Sequence, residues 1–161
     1  MLDDNIKNYK RKYYLNKVVK GGIFALAVML SSFLLINAFE YFGNFNTSLR
    51  AALFYSFLIT VAMSLGVWVI EPLTRVLLSN RQLSDKDAAR DIGSHFPDIK
   101  DKLLNVLQLQ ETSAPTDLLQ ASIAQKAQGF SQYQFTEAID LSYNRRYLKY
   151  LLLPFLVITS I

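Results

Sequence analysis

Two long apolar runs constrain this chain more than any other feature. Gly21 to Phe39 and Ala51 to Ile70 contain no Asp, Glu, Lys, Arg or His. They are about 19 and about 20 residues long, so at 1.5 Å rise per residue each makes a helix of roughly 30 Å, the thickness of a bilayer's hydrocarbon core. Buried helices of large soluble proteins can also be apolar on every side. Two of them within 161 residues, joined by a short aromatic segment, instead point to a transmembrane hairpin. The first run follows a basic segment, as a signal peptide would. It is longer than a signal peptide's apolar stretch, and Asn37-Ala38-Phe39-Glu40 lacks the small-residue cleavage pattern, so it reads as an uncleaved anchor.

The expected fold class is therefore all-α and integral to a membrane. The expected organisation is a basic amphipathic N-terminal segment (1–20), a transmembrane hairpin (21–78), a small cytoplasmic helical module (79–146) and the start of a third transmembrane helix (147–161). Tyr150 to Ile161 is uncharged and follows the basic residues Arg145, Arg146 and Lys149. It reads as the first half of a further span, which makes the chain the front end of a larger membrane protein or a subunit of a membrane complex.

Charge is unevenly placed. The chain has 17 basic and 13 acidic residues, for a net charge of +4. Lys7, Lys10, Arg11, Lys12, Lys17 and Lys20 against Asp3 and Asp4 account for all of that excess, while residues 71–149 are balanced. The segment between the spans carries one acid, Glu40, and one base, Arg50. By the positive-inside rule the N-terminus and residues 71–149 lie in the cytoplasm, with Arg75 and Arg81 just past the second span. The basic balance thus points to anionic lipid headgroups at the cytoplasmic face of the membrane and not to nucleic acid. There are no cysteines, so disulfides and thiolate metal sites are excluded.

Local patterns fill in the rest. Leu2, Ile6, Tyr9 and Tyr13 recur at helical spacing, which predicts an amphipathic helix lying on the membrane surface and turning into the first span. Phe39, Tyr41, Phe42 and Phe45 anchor the outer turn. Ser31, Ser32, Thr60 and Ser64 can bond within their own helix or across to a neighbour. Gly21 with Ala25, and Ala62 with Gly66, are small-residue pairs on faces that would contact each other. Glu71-Pro72 marks the exit from the second span, with Glu71 and Arg75 at the spacing of an ion pair and Pro72 bending the helix. Ser84 and Asp87 resemble a capping box, so a helix begins near Asp85 and stops near Gly93. After the break at His95-Phe96-Pro97 a second helix begins at Asp98, with Phe96, Ile99, Leu103, Val106 and Leu107 on one face. A third starts at Ser113 to Asp117, with Pro115 near its start, and presents Leu119, Ile123, Ala127 and Phe130. A short turn, Thr136 to Leu141, then leads to the last apolar run.

The stretch from Asp87 to Leu109, with its Ala88-Ala89-Arg90, Phe96-Pro97 and Lys102-Leu103-Leu104-Asn105 elements, resembles a recurrent segment of large envelope proteins of Bacteroidota and related bacteria. That family is catalogued as a domain of unknown function. It places a hydrophobic hairpin before the motif and a third span after it, an order similar to this chain from about residue 20 onward. The resemblance implies an envelope location and a longer chain, and says little about activity.

Enzyme chemistry finds little support. His95 is the single histidine; Asp91 and Asp98 flank it, but Gly93 and Pro97 interrupt the helix that would align them as metal ligands. Phosphate-loop, nucleophile-elbow and zinc-protease motifs are missing from the sequence. The expected function is a membrane anchor and protein-interaction module, not an enzyme, without cofactor or metal. Its partners are the bilayer, other membrane subunits or a second copy of itself. Candidate membrane-interface and interaction residues are Lys7, Lys10, Arg11, Tyr13, Tyr14, Lys17, Lys20, Trp68, Arg75, Arg90, Leu103, Leu104, Arg145 and Arg146. The alternatives are the membrane domain of a sensor or transporter with its effector downstream, which would need a polar pathway through the spans, and a membrane-bound enzyme, which would need a clustered polar site.

Overall fold

Helix accounts for nearly all of the described chain, and no strand occurs among the described residues. The computed structural model describes residues 2–78, 83–112, 117–130 and 132–159. Arg81 and the Ser113–Thr116 start of the third module helix lie outside the described residues. The chain forms two compact units. One, the helical module, comprises Met1–Tyr13 with Leu78–Asp140; the other, the hairpin unit, comprises Tyr14–Leu77 with Leu141–Ile161.

In the hairpin unit, α1 (Leu2–Gly43, whose first twelve residues belong to the module) and α2 (Thr47–Leu65) are joined by only three residues. The turn is shorter than the sequence pattern predicts, because Glu40 to Gly43 continue α1 as helix. Asn44 takes a left-handed backbone (φ 43°), which a short amide side chain tolerates. Asn46 then caps α2: its side chain accepts from the Leu49 amide at 3.0 Å. Arg50 pairs with Glu40 at 3.2 Å, so the turn's two charges cancel each other. Ser32, Thr60 and Ser64 donate to carbonyls of their own helices, to Val28 at 2.7 Å, Ser56 at 2.9 Å and Val61 at 2.9 Å. Polar groups satisfied in this way need no water.

α2 does not end cleanly. Residues Gly66–Ile70 form a π turn, in which the Glu71 amide reaches back to the Gly66 carbonyl, before α3 (Glu71–Leu77) resumes. Pro72 is the cause. It has no amide hydrogen for the Trp68 carbonyl, and its ring would collide with that carbonyl in a regular α-helix; widening the turn relieves both. The Trp68 carbonyl meets α1 at Gly21, where an added Cβ would lie 1.8 Å from the oxygen. Ala25 beside it is buried, whereas Ala62 is exposed and Gly66 has open space around it. The Gly21/Ala25 face therefore meets the second arm at Trp68, and the Ala62/Gly66 pair does not take part as the small-residue spacing predicts.

The third apolar run is preceded by 3₁₀ turns over Leu141–Leu148 and lies in α7 (Lys149–Thr159), with Pro154 inside it. The eleven residues of α7 measure about 16 Å, half of a hydrocarbon core.

The helical module is built on α4 (Asp85–His95), α5 (Lys100–Thr112) and α6 (Asp117–Gln128). Ser84 caps α4 as its spacing predicts: its hydroxyl accepts from the Asp87 amide at 3.1 Å and donates to the Asp87 carboxylate at 2.9 Å. Gly93 does not terminate that helix, which runs on to His95. Gly93 is instead a contact point, since a Cβ there would lie 2.7 Å from Cγ of Lys100 at the start of α5. A 3₁₀ turn at Pro97–Ile99 makes the corner between α4 and α5. The core contains Ala88, Ala89, Ile92, Ile99, Leu103, Val106, Leu107, Phe130, Phe135 and Ile139.

The N-terminal stripe completes this core. Leu2, Ile6 and Tyr9 belong to the same buried cluster, with Tyr13 packed against it. The amphipathic helix is real, but its apolar face is covered by α4, α5 and their neighbours and is not available to a membrane surface. A small module cannot close a core from three short helices alone, and the first turns of α1 supply the missing wall. Lys10 pairs with Asp85 at 2.9 Å, and Lys12 donates to the Thr136 carbonyl at 2.7 Å.

Burial holds the Tyr9 phenol above its ordinary value, and the charges of Asp91 and Tyr13 push it the same way. The folded module therefore prefers the neutral phenol. Its contribution is intact below the unfolded phenol's value of about 10 and is lost as the pH rises beyond it. Alkaline titration of the module is expected to show a loss of stability above that pH that is smaller in Tyr9→Phe. Identical alkaline curves for the two proteins would show that Tyr9 does not contribute.

Candidate functional site

The residues that sequence reasoning selected divide between the two units. In the module, Leu103 is fully buried and Leu104 is partly buried, so Leu103 fills the core and is not presented to a partner. Lys10 is 9% exposed and engaged by Asp85, which removes it from the residues free to meet headgroups. Arg90 is exposed and paired with Asp87 at 3.2 Å. Tyr13 stacks on Tyr9 with ring centroids 6.3 Å apart. Lys7 and Arg11 are exposed.

The remaining candidates gather at one end of the hairpin unit, where cations and aromatic rings interleave. Lys20 Nζ lies 4.8 Å from the centre of the Tyr147 ring and 6.0 Å from that of Phe24. Phe24 is the hub of the ring cluster, at 5.1 Å from Tyr147, 5.9 Å from Tyr150 and 6.0 Å from Trp68. Arg146 lies 4.4 Å above Tyr143, and Lys149 lies 5.3 Å from Tyr150. Lys17 is 5.8 Å from the ring of the buried Tyr14. Arg75 bonds both the Glu71 carboxylate and the Tyr14 hydroxyl, closing the ion pair expected from the sequence. Asn144, 5% exposed, donates to the Asn16 side chain at 2.6 Å and pins the 141–148 turns against α1.

Six cations (Lys17, Lys20, Arg75, Arg145, Arg146, Lys149) and one acid (Glu71) thus share a girdle of six rings. Ring faces hold Lys20, Arg146 and Lys149 in place electrostatically. The opposite end of the hairpin has exposed Phe39, Tyr41 and Phe42 and the self-neutralised Glu40–Arg50 pair. One end of the unit is strongly cationic and the other is neutral.

The sequence reading missed Phe24, Tyr143, Tyr147 and Tyr150 as members of the girdle. Their signal was available: Lys20 and Phe24 are four apart, and Tyr143, Tyr147 and Tyr150 follow an i, i+4, i+7 stripe.

His95 is exposed at the end of α4, its ring edge-on to Phe96 at 4.7 Å. Among the described residues no group of three His, Cys, Asp or Glu side chains converges as a metal site would require. Neither a protein-family model, nor a curated protein, nor a solved structure matches this chain.

Proposed function

We propose that the chain is a membrane anchor carrying a helical interaction module. The hairpin crosses a bacterial inner membrane with the girdle at the cytoplasmic headgroups and the Asn44–Asn46 turn outside. The observation that carries this reading is the exposure of the two long apolar helices. Each has an 18-residue window of mean hydropathy 2.1, yet only 11% and 6% of those windows are buried within the protein. A core helix of a soluble protein would be mostly covered. Here Phe33, Leu35, Phe54, Leu58, Ile59 and Met63 lie bare, a surface that suits lipid tails far better than water. The girdle supports the orientation, since anionic lipid attracts clustered Lys and Arg at the cytoplasmic leaflet. Membership of a larger envelope protein or complex, as the Ala-Ala-Arg to Leu-Leu-Asn resemblance implies, is part of the same proposal: the exposed faces of the module and the hairpin are where other subunits would dock.

The lack of cysteine makes a direct test available, because any introduced thiol is unique. Ser48→Cys, at the turn, is expected to react with a membrane-impermeant maleimide on intact spheroplasts, and Ser94→Cys, in the module, only after permeabilisation. The reverse pattern would overturn the orientation. Labelling of both without permeabilisation, in a chain that alkaline carbonate releases from membranes, would overturn insertion itself.

A further inference from the structure

One cation of the girdle is placed unlike the others. Lys20, Arg146 and Lys149 each lie over a ring, Lys17 lies beside Tyr14, and Arg75 is held by Glu71 and Tyr14. Among the described residues Arg145 has no carboxylate, hydrogen-bond acceptor or ring engaging it, and it lines an open groove of 480 Å³. Val19, Ile23, Leu141 and Leu148 make the groove apolar, with Ser142, Asn144 and Arg145 as its polar members. The Asn144–Asn16 hydrogen bond holds the two walls, α1 and the 141–148 turns, together.

The chemistry of the groove changes along its length. Ile23 lies two residues inside the first apolar run and Val19 two residues before it, so the groove straddles the level at which charged headgroups give way to hydrocarbon. A free guanidinium beside an apolar trough at that level matches a molecule with a phosphate at one end and acyl chains at the other. Arginine suits the phosphate because its planar fork can donate two parallel hydrogen bonds to the oxygens. A soluble phosphate would leave Val19, Ile23 and Leu148 uncovered, and a neutral lipid would leave the surplus charge of the girdle unanswered.

We propose that this groove seats one anionic phospholipid of the surrounding bilayer, its phosphate on Arg145 and its chains along Val19, Ile23 and Leu148. This rests on the membrane reading above. It goes further in assigning one lipid to one site, in contrast to diffuse attraction across the girdle. A lipid bound there would clamp the 141–148 turns against α1.

The test is native mass spectrometry of the full chain released from bilayers of equal phosphatidylglycerol and phosphatidylcholine. The wild type is expected to keep phosphatidylglycerol in preference to phosphatidylcholine. Arg145→Gln should lower that preference about fivefold and Arg146→Gln by no more than about twofold, given what one cation contributes at an anionic surface. Arg145→Lys should fall between the wild type and Arg145→Gln, since it keeps the charge and loses the fork. Circular dichroism serves as the check that each variant folds, and Arg145 is exposed, so its replacement disturbs no core. Equal losses in Arg145→Gln and Arg146→Gln, or no preference in the wild type, would overturn the site while leaving the anchor intact. Displacement of the lipid by inorganic phosphate would show an anion site without a lipid seat, which also overturns the proposal. A chain that fails to float with vesicles of that composition would sink the membrane reading and the site together.

Discussion

Replacing Ile6 by Ala is expected to loosen helices that lie more than eighty residues away in sequence. Ile6 is 1% exposed and shares one core with Ala88, Ala89, Ile92, Leu103 and Val106. Truncating a buried Ile to Ala costs about 2–5 kcal/mol, through lost transfer energy and the cavity left behind. A module this size has little stability to spare. Hydrogen exchange of the α4 and α5 amides measures the effect: their protection should fall together, and Ile6→Asp should abolish it by placing an unpaired charge in the core. Lys7→Ala, one residue away on the exposed side, is the control, with an expected change within about 0.5 kcal/mol. Unchanged protection of Ala88 to Ile92 in Ile6→Ala would mean that the N-terminal turns do not support the module. The outcome also bears on the interaction role, because a module that needs residues 2–13 to fold cannot be expressed from residue 79 onward as an independent domain.

Gly21→Ala should have the second large effect, in the hairpin unit. The new Cβ would overlap the Trp68 carbonyl, and the obstacle is backbone, which cannot swing away as a side chain can. Overpacking of this kind costs about 1–3 kcal/mol. The π turn at Gly66–Ile70 brings that carbonyl to α1, so the arms must separate or the turn must be remade. Trp68 is the single tryptophan and its ring lies near Phe24, so its fluorescence reports the event directly. Gly21→Ala is expected to shift Trp68 emission and lower the melting temperature in detergent micelles. Gly22→Ala, where a Cβ meets nothing within 4 Å, should do neither, and should gain up to about 1 kcal/mol of helix propensity. Similar behaviour of the two variants would remove the close approach at Gly21 from the account.

Both effects show where reading the sequence stops. The stripe of Leu2, Ile6, Tyr9 and Tyr13 identifies a buried face, because period alone reveals which side of a helix avoids water. It cannot say whether a membrane or a protein core covers that face, since both are apolar. Only the packing shows the module's core on it. The basic residues follow the same logic. Lys10, Arg11, Lys17 and Lys20 look alike as a charged run, yet Lys10 is engaged by Asp85 while Lys20 lies over Tyr147. Partners 75 and 127 residues distant in sequence leave no local trace. The small-residue pairs were half legible: Gly21 makes a close approach, but onto a carbonyl displaced by Pro72 and not onto Ala62 or Gly66.

The sequence by itself determined the presence and apolarity of two long helices, the cap at Ser84, the Glu71–Arg75 pair and the uneven charge. Each of these depends on residues within a turn or two of one another, or on composition along a single helix. The tertiary structure alone decided that residues 2–13 close the module, that Gly93 is a contact point and not a stop, and that Lys20, Arg146 and Lys149 lie over aromatic rings while Arg145 does not. Those outcomes depend on which surfaces meet, and the energy of a contact between distant segments is set by shape and placement in space, which no spacing along the chain encodes.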